Sequence, residues 1–194
     1  MQIEEQNTIT KLIKSSASLK LNVGCGSNKI EGFLNIDAFA GNKPDLILDI
    51  TKEQLPFVPN LVDEIVFFHC IEHIEEKLHD AVLGEFFRVL KPGGILLVSY
   101  PEFLRCASAY AENRKGQRDF WKATIYGMQR YPGDFHVALM DTPFFINRLR
   151  RIGFGDLKYE MEPEPNEINT VVRAIKSKPF INREDLLREE IYNS

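Results

Sequence analysis

The stretch Lys20-Leu-Asn-Val-Gly-Cys-Gly-Ser27, read with Asp37 and Asp49 downstream, constrains this chain more than any other feature. An apolar run ends in two glycines at alternate positions, and two acids follow, each closing a further apolar run (Phe33-Leu-Asn-Ile36 and Leu46-Ile-Leu48). Glycines at a strand's carboxyl end let the backbone turn sharply and let a ligand approach without interference from a Cβ. A carboxylate at Asp37 can accept hydrogen bonds from both hydroxyls of a ribose, and Asp49 from an exocyclic amine. Taken in that order, glycines, first acid and second acid point to a parallel α/β sheet that binds an adenosine-containing ligand.

The rest of the chain fits that sheet. Apolar runs at 20–24, 33–37, 45–49, 63–69 and 94–100 predict strands. Between the last two, Leu78, Ala81, Val82, Phe86, Val89 and Leu90 fall at helical spacing, so the helix over 75–90 should pack one face on the sheet. His79 falls on its outer, solvent-facing part. Lys91-Pro-Gly-Gly94 stops that helix and reverses the chain into Ile95-Leu-Leu-Val98. A strand, helix, strand unit of this kind reads as a parallel pair. Asp141-Thr-Pro143 starts another helix, with Arg150, Arg151 and Gly153 suited to its end. Two strands should follow, near 155–160 and 169–176, across a loop containing Pro163 and Pro165.

Residues 101–140 break the rhythm. Tyr110, Trp121, Tyr126, Tyr131, Phe103, Phe120 and Phe135 crowd this stretch, just past Tyr100. We expect an inserted helical or loop segment over the mouth of the sheet. Tyr100, Tyr126, Tyr131 and Phe135 could form a platform for an acceptor, but most of these aromatics should form the segment's small core, with Tyr126 and Tyr131 the best exceptions. The resulting division is an N-terminal helical extension (1–18), one domain (19–180) carrying the 101–140 insertion, and a charged tail (181–194).

At 194 residues, 44% hydrophobic and 27% charged, the composition is that of one globular domain. A net charge of -4 argues against a nucleic-acid duplex or an anionic membrane as main partner. The groups Arg148, Arg150, Arg151 and Arg114, Lys115, Arg118 read as solvated helix faces. Cys25, Cys70 and Cys106 lack CxxC spacing, and the polar start is no signal peptide, which predicts reduced thiols in a cytoplasmic protein.

These residues resemble the class I S-adenosylmethionine-dependent methyltransferases, particularly the small single-domain group acting on metabolites or sugars. The landmarks are Asn22-Val-Gly-Cys-Gly26, Asn35-Ile-Asp37, Asp49, Asp63-Glu-Ile-Val66, Ile71-Glu-His73, Leu90-Lys-Pro-Gly-Gly94 and Gly153-Phe154. The resemblance implies a Rossmann-like, doubly wound seven-stranded sheet, parallel except for the last strand. It implies S-adenosylmethionine as cofactor, with Asn22, Gly24, Cys25 and Gly26 shaping the methionine side. Asp37 would hold ribose, Asp49 and the Ile50 backbone adenine, and the His69 carbonyl the methionine amino group. One departure is plain: only 13 positions separate Gly24 from Asp37, which shortens the first crossover and opens the pocket on that side. A dinucleotide is disfavoured, because Lys29 stands where a third glycine belongs and no helix N-terminus meets a pyrophosphate.

Methyl transfer from a sulfonium needs alignment and exclusion of water, and a base if the acceptor is a hydroxyl. The candidates are His136 in the insertion, with Asp134 to orient it, then His69 at a strand end, then His73, whose better reading is structural. His69-x-x-Glu72-His73 is also similar to the Glu-x-x-Glu-His metal motif of some ubiquinone-pathway and small-RNA methyltransferases. We read these residues as packing around a strand end and expect no metal. The expected function is methyl transfer to an oxygen or nitrogen of a small-molecule or saccharide acceptor. The alternatives are a non-catalytic S-adenosylmethionine-binding module and, further off, an RNA methyltransferase.

Overall fold

The computed structural model describes residues 18–130, 133–162 and 168–177. The expected N-terminal helix, Tyr131, the Pro163/Pro165 loop and the charged tail lie outside the described residues.

Seven strands form one sheet: β1 (Lys20–Val23), β2 (Leu34–Asp37), β3 (Leu46–Ile47), β4 (Val62–Phe68), β5 (Leu90–Pro101), β6 (Phe154–Met161) and β7 (Asn169–Lys176). Their order is β3-β2-β1-β4-β5-β7-β6. The pairs from β3 to β5 are parallel, whereas β7 runs antiparallel to both its neighbours, as expected. The chain leaves β1 toward β2 and β3, then returns to place β4 on the other side of β1. That reversal opens a crevice at the strands' carboxyl ends, where ligands of open α/β sheets bind.

Inward side chains such as Leu21, Ile36, Ile65, Phe67, Leu96 and Val98 build the core. Helix α1 (His79–Val89) covers them with Val82, Leu83, Phe86 and Val89, its apolar face at helical spacing. Helix α4 (Thr142–Ile152) begins where Asp141 accepts a hydrogen bond from the Phe144 N–H at 3.2 Å. It ends at Gly153, whose φ of 119° suits glycine and whose Cβ, if present, would meet the Phe87 ring at 2.9 Å. Lys91-Pro-Gly-Gly94 loops out of β5, so pairing jumps from Leu90 opposite Val62 to Ile95 opposite Glu64.

The shortened crossover is real: residues 24–33, all described, contain no helix. Side chains take over the hydrogen bonding a helix would supply. The buried Asn22 amide donates to the Asn28 carbonyl and to Asn35 Oδ1, both at 2.9 Å. Asn35 Oδ1 also accepts the Ile30 N–H, and its amide donates to Asp45 Oδ2 at 2.8 Å.

Three expectations need correction. His79 is not solvent-facing but 1% exposed, with Nε2 shared between the Ile71 and Ile74 carbonyls. It opens the α-helix three, four and seven positions ahead of Val82, Leu83 and Phe86, which places it on their buried face. Arg148 of α4 lies on its other nitrogen and pairs with Glu76 and Asp80, so this arginine ties α4 to α1 rather than facing solvent. Tyr100 belongs to the main core, fully buried against Phe145, with its hydroxyl 3.2 Å from Thr142 Oγ1. It offers no platform to a ligand.

The insertion is helical, with α2 (Phe103–Ala111) and α3 (Arg118–Tyr126). It has its own small core of Cys106, Ala109 and Trp121, joined by Ile168 from beside β7. The Trp121 indole donates to the Arg114 carbonyl at 2.8 Å. Among the described residues, no helix is long and apolar enough to cross a membrane.

Candidate active site

The strand tips bring the glycine turn, Asp37 and Asp49 together. Leu48 N–H bonds the Asp37 carbonyl and Cys25 N–H the Ile36 carbonyl, which fixes the three tips against one another. The Asp37 carboxylate sits between two loops: Oδ2 accepts the Gly26 N–H and Oδ1 the Phe39 N–H, each at 2.7 Å. One lone pair on each oxygen remains for a ligand. Asp49 is engaged by its own loop, accepting from Thr51 Oγ1 at 2.6 Å and pairing with Lys52 at 2.7 Å. Burial raises its pKa, but the Lys52 and Thr51 hydrogen bonds outweigh that and hold the carboxyl below its ordinary value. The neighbouring Ile50 is half-buried.

The two glycines do different work. A Cβ on Gly24 would lie 2.4 Å from Cys70 Sγ, so Gly24 lets β1 close on the end of β4. A Cβ on Gly26 would meet nothing within 4 Å. Gly26 therefore borders open space beside the Asp37 carboxylate, which is the cradle a nucleoside with its amino-acid arm needs. Cys25 is buried, and burial and the nearby Asp37 charge push its thiol up to about 11. Burial also raises the Cys70 thiol. Neither is a nucleophile at neutral pH.

Beyond the tip of β4, the insertion and the strand ends enclose a cavity of about 310 Å³. Its walls include His69, Glu72, His73, Phe120, Met128 and His136. His69 has a left-handed backbone (φ 50°) and its N–H bonds the Ser99 carbonyl. Its ring is not satisfied by a backbone partner: Nδ1 lies 3.5 Å from Glu72 and Nε2 4.0 Å from Glu162. The Glu72 carboxylate raises its pKa, against the pull of burial. His73 Nδ1 is 3.0 Å from the Phe135 carbonyl, which accepts only, so that nitrogen is the donor.

His136 does join the strand-end histidines, as its place in the insertion suggested. Its ring stands 4.8 Å from that of His73, nearly perpendicular. Burial lowers its pKa, only partly offset by Glu72 and by a hydrogen bond to the Thr124 carbonyl. The loop bearing it is stitched down: Val137 and Ala138 N–H groups both reach the Glu72 carbonyl, and His136 N–H the Tyr126 carbonyl. Gly127 permits this, since a Cβ there would lie 2.2 Å from the Asp134 carbonyl. Asp134 does not touch His136 but binds Arg130 in a bidentate pair, which holds its carboxyl down at about 2. Tyr126 is exposed. The Glu72 carboxylate, singled out in sequence by its place in His69-x-x-Glu72-His73, is a wall of this cavity.

Residues 31–98 match the methyltransferase domain family. That span runs from the shortened crossover through β2, β3, β4 and most of β5. In that span and in its strand order the chain is similar to the class I S-adenosylmethionine-dependent methyltransferases. No curated protein sequence matches it. Solved structures share its fold. An S-adenosylmethionine-dependent methyltransferase from Archaeoglobus fulgidus aligns at a TM-score of 0.60 and 13% identity, over 90% of this chain and 93% of that one. A possible exported protein from Bordetella parapertussis gives 0.61 and 15%, over 90% and 67%. Phosphoethanolamine N-methyltransferase 2 from Haemonchus contortus, in complex with S-adenosyl-L-methionine, gives 0.54 and 12%, over 90% and 52%. The chain thus has the expected sheet with a clipped first crossover and a helical insertion over its strand tips.

Proposed function

We propose that this chain is an S-adenosylmethionine-dependent methyltransferase acting on an oxygen or nitrogen of a small molecule or saccharide. The observation that carries the reading is the cavity beyond the tip of β4: at about 310 Å³ it suits a small acceptor and not a polymer strand. The arginine among its described lining residues, Arg130, is already paired with Asp134. That leaves little for a phosphate backbone to bind.

S-adenosylmethionine, when bound, supplies a methyl group already activated on a sulfonium. The chain's own residues bind and orient. Asp37 accepts the ribose hydroxyls on its two remaining lone pairs, and Gly26 leaves room for the amino-acid arm. Asp49, braced by Thr51 and Lys52, and the Ile50 backbone flank adenine. Asn22 acts through the turn it holds, and Gly24 and Cys25 shape the floor. His69 follows the tip of β4, next to the Cys70 that packs on Gly24, and so links the two halves: its carbonyl serves the amino group and its ring faces the acceptor.

For a hydroxyl acceptor, one bond forms from its oxygen to the methyl carbon while the carbon–sulfur bond breaks, its electron pair staying on sulfur. The hydroxyl proton goes to an imidazole, His136 first, since one nitrogen is satisfied by Thr124 and burial keeps the ring neutral. The His73 ring stands beside it, 4.8 Å away. The exclusion of water by the insertion matters as much as the base.

The test is a panel of hydroxyl and amine acceptors, saccharides included, with methyl-labelled S-adenosylmethionine. Transfer to a small acceptor, lost in His136→Ala while S-adenosylhomocysteine still binds, is the expected result. Cofactor binding with no transfer across the panel makes the chain a binding module, and transfer to RNA alone overturns the small-acceptor reading.

A further inference from the structure

Glu72 carries a buried carboxylate oxygen that nothing satisfies. The residue is 2% exposed, and its Oε2 has no hydrogen-bond partner among the described residues. Leaving such a group bare is costly. Glu72, His73 and His136 each offer one ligand atom to a common point, and those atoms lie within 4.8 Å of one another. We propose that Glu72, His73 and His136 bind a divalent transition-metal ion in the acceptor cavity.

Three features favour an ion over packing. The two imidazoles are oriented as metal ligands usually are: His73 gives its Nδ1 proton to the Phe135 carbonyl, and the His136 ring is bonded to the Thr124 carbonyl. Such outer partners fix the tautomer and leave the second nitrogen's lone pair for the metal. The loop that delivers His136 is pinned to the Glu72 backbone by two N–H bonds, so the third ligand is held rather than loosely tethered. Ligand atoms around a tetrahedral ion at roughly 2.0–2.2 Å sit about 3.3–3.5 Å apart, so closing from 4.8 Å needs side-chain rotations of little more than an ångström.

Two imidazoles and one carboxylate suit zinc, iron(II) or cobalt(II) rather than magnesium or calcium, and leave one or more positions open toward the cavity. His69 lies outside the three-ligand set, 3.5 Å from Glu72, so the sequence motif and the ligand set differ. An open position facing the acceptor would select oxygen donors. The inference rests on the methyl-transfer reading for its purpose, though not for its existence. With the ion in place, His136 would serve as a ligand instead of taking the acceptor's proton.

The probe is cobalt(II), titrated into the full chain after chelator treatment and dialysis. The expected result is one ion per chain, with visible absorption of a four- or five-coordinate nitrogen–oxygen site and no thiolate-to-cobalt band. His136→Ala and the near-isosteric Glu72→Gln should each weaken uptake at least tenfold. No stoichiometric uptake by the unaltered chain, a thiolate band, or undiminished uptake in both variants overturns the proposal. S-adenosylhomocysteine binding, measured on the same samples, separates this from the broader reading. A chain that binds the nucleoside but no cobalt refutes the metal site alone, whereas one that binds cobalt but no nucleoside leaves the site standing and removes the methyltransferase reading.

Discussion

Asp37 should show its role as a coupling between protein and ligand rather than as a simple loss of affinity. Its carboxylate already accepts two backbone N–H bonds of 2.7 Å, from Gly26 and Phe39. Asp37→Asn keeps one acceptor oxygen but turns an NH₂ group toward the other N–H, so it loosens the glycine turn as well as the ribose contact. Hydrogen bonds to charged groups contribute about 1.5–3 kcal/mol each, and the half-exposed N–H groups recover part of theirs from water. We therefore expect the fold to lose about 1–2 kcal/mol, seen as a lower urea midpoint. To isolate the ribose term, S-adenosylhomocysteine is compared with its 2′,3′-dideoxy analogue by calorimetry on both proteins. In the unaltered chain, removing the hydroxyls should raise Kd by roughly 5- to 150-fold, equivalent to about 1–3 kcal/mol. In Asp37→Asn most of that penalty should vanish, because the acceptor it measures is gone. If the two proteins show the same Kd ratio to within about 0.5 kcal/mol, the hydroxyls and Asp37 are independent and the ribose assignment is wrong.

The two glycines should separate by assay. Gly24→Ala drives a Cβ into Cys70 and should cost about 2–3 kcal/mol of stability, partly relieved by Cys70→Ala. Gly26→Ala should cost about 1 kcal/mol, for its positive φ, but should weaken S-adenosylhomocysteine binding several-fold; the reverse pattern in urea melts and calorimetry would refute the division. Trp121→Ala removes the centre of the insertion's core, a change of about 3–5 kcal/mol, more than that small cluster can absorb. Amides across 103–126 should lose hydrogen-exchange protection and methyl transfer should stop, while S-adenosylhomocysteine affinity stays within about twofold. Lys176 is fully buried, its ammonium donating to Asn60 and to the Phe87 and Leu90 carbonyls, and burial lowers its pKa to about 8. Below about pH 8 it is charged both folded and unfolded; between there and about 10.4 the unfolded chain holds more protons, so stability from this group rises with pH. The urea midpoint of the unaltered chain should therefore gain on that of Lys176→Met between pH 7 and 9.5, and a constant gap would refute the shift.

What could be read from the sequence was written locally. Gly24, Gly26, Asp37 and Asp49 mark strand tips, and strand tips are where a parallel sheet must place its ligand, so residue type and spacing carried both fold and cofactor side. Asp141, Pro143 and Gly153 likewise mark helix ends by chemistry confined to one turn. His79 was misjudged because its polar type was weighed above its position: it stands three, four and seven residues before Val82, Leu83 and Phe86 and shares their buried face. The Asn22, Asn35 and Asp45 network was missed for a different reason. Once the crossover lacks a helix, its backbone groups need other partners, yet nothing in the spacing says that two asparagines and an aspartate 10 to 13 positions apart supply them. Glu72 shows the same limit: its proximity to His136 depends on a loop closure that Gly127 permits and that no short-range pattern encodes.

That difference in legibility follows from how the two halves of the site are built. The half proposed for the nucleoside rests on β1, β2 and β3, whose tips are bonded directly to one another, so its geometry comes with the sheet itself. The acceptor half is assembled across a long sequence gap, by two N–H bonds from Val137 and Ala138 to the carbonyl of Glu72 and one from His136 to Tyr126. Its walls, Phe120 and Met128 among them, belong to a segment with a separate small core. Changes in that segment can reshape the cavity without disturbing a strand, whereas changes near Glu72 move the end of β4 and with it His69 and Cys70. Acceptor choice should therefore reside in residues 103–130, and the chemistry performed on the acceptor in residues 69–73 together with the one histidine, His136, that the insertion must bring back to them.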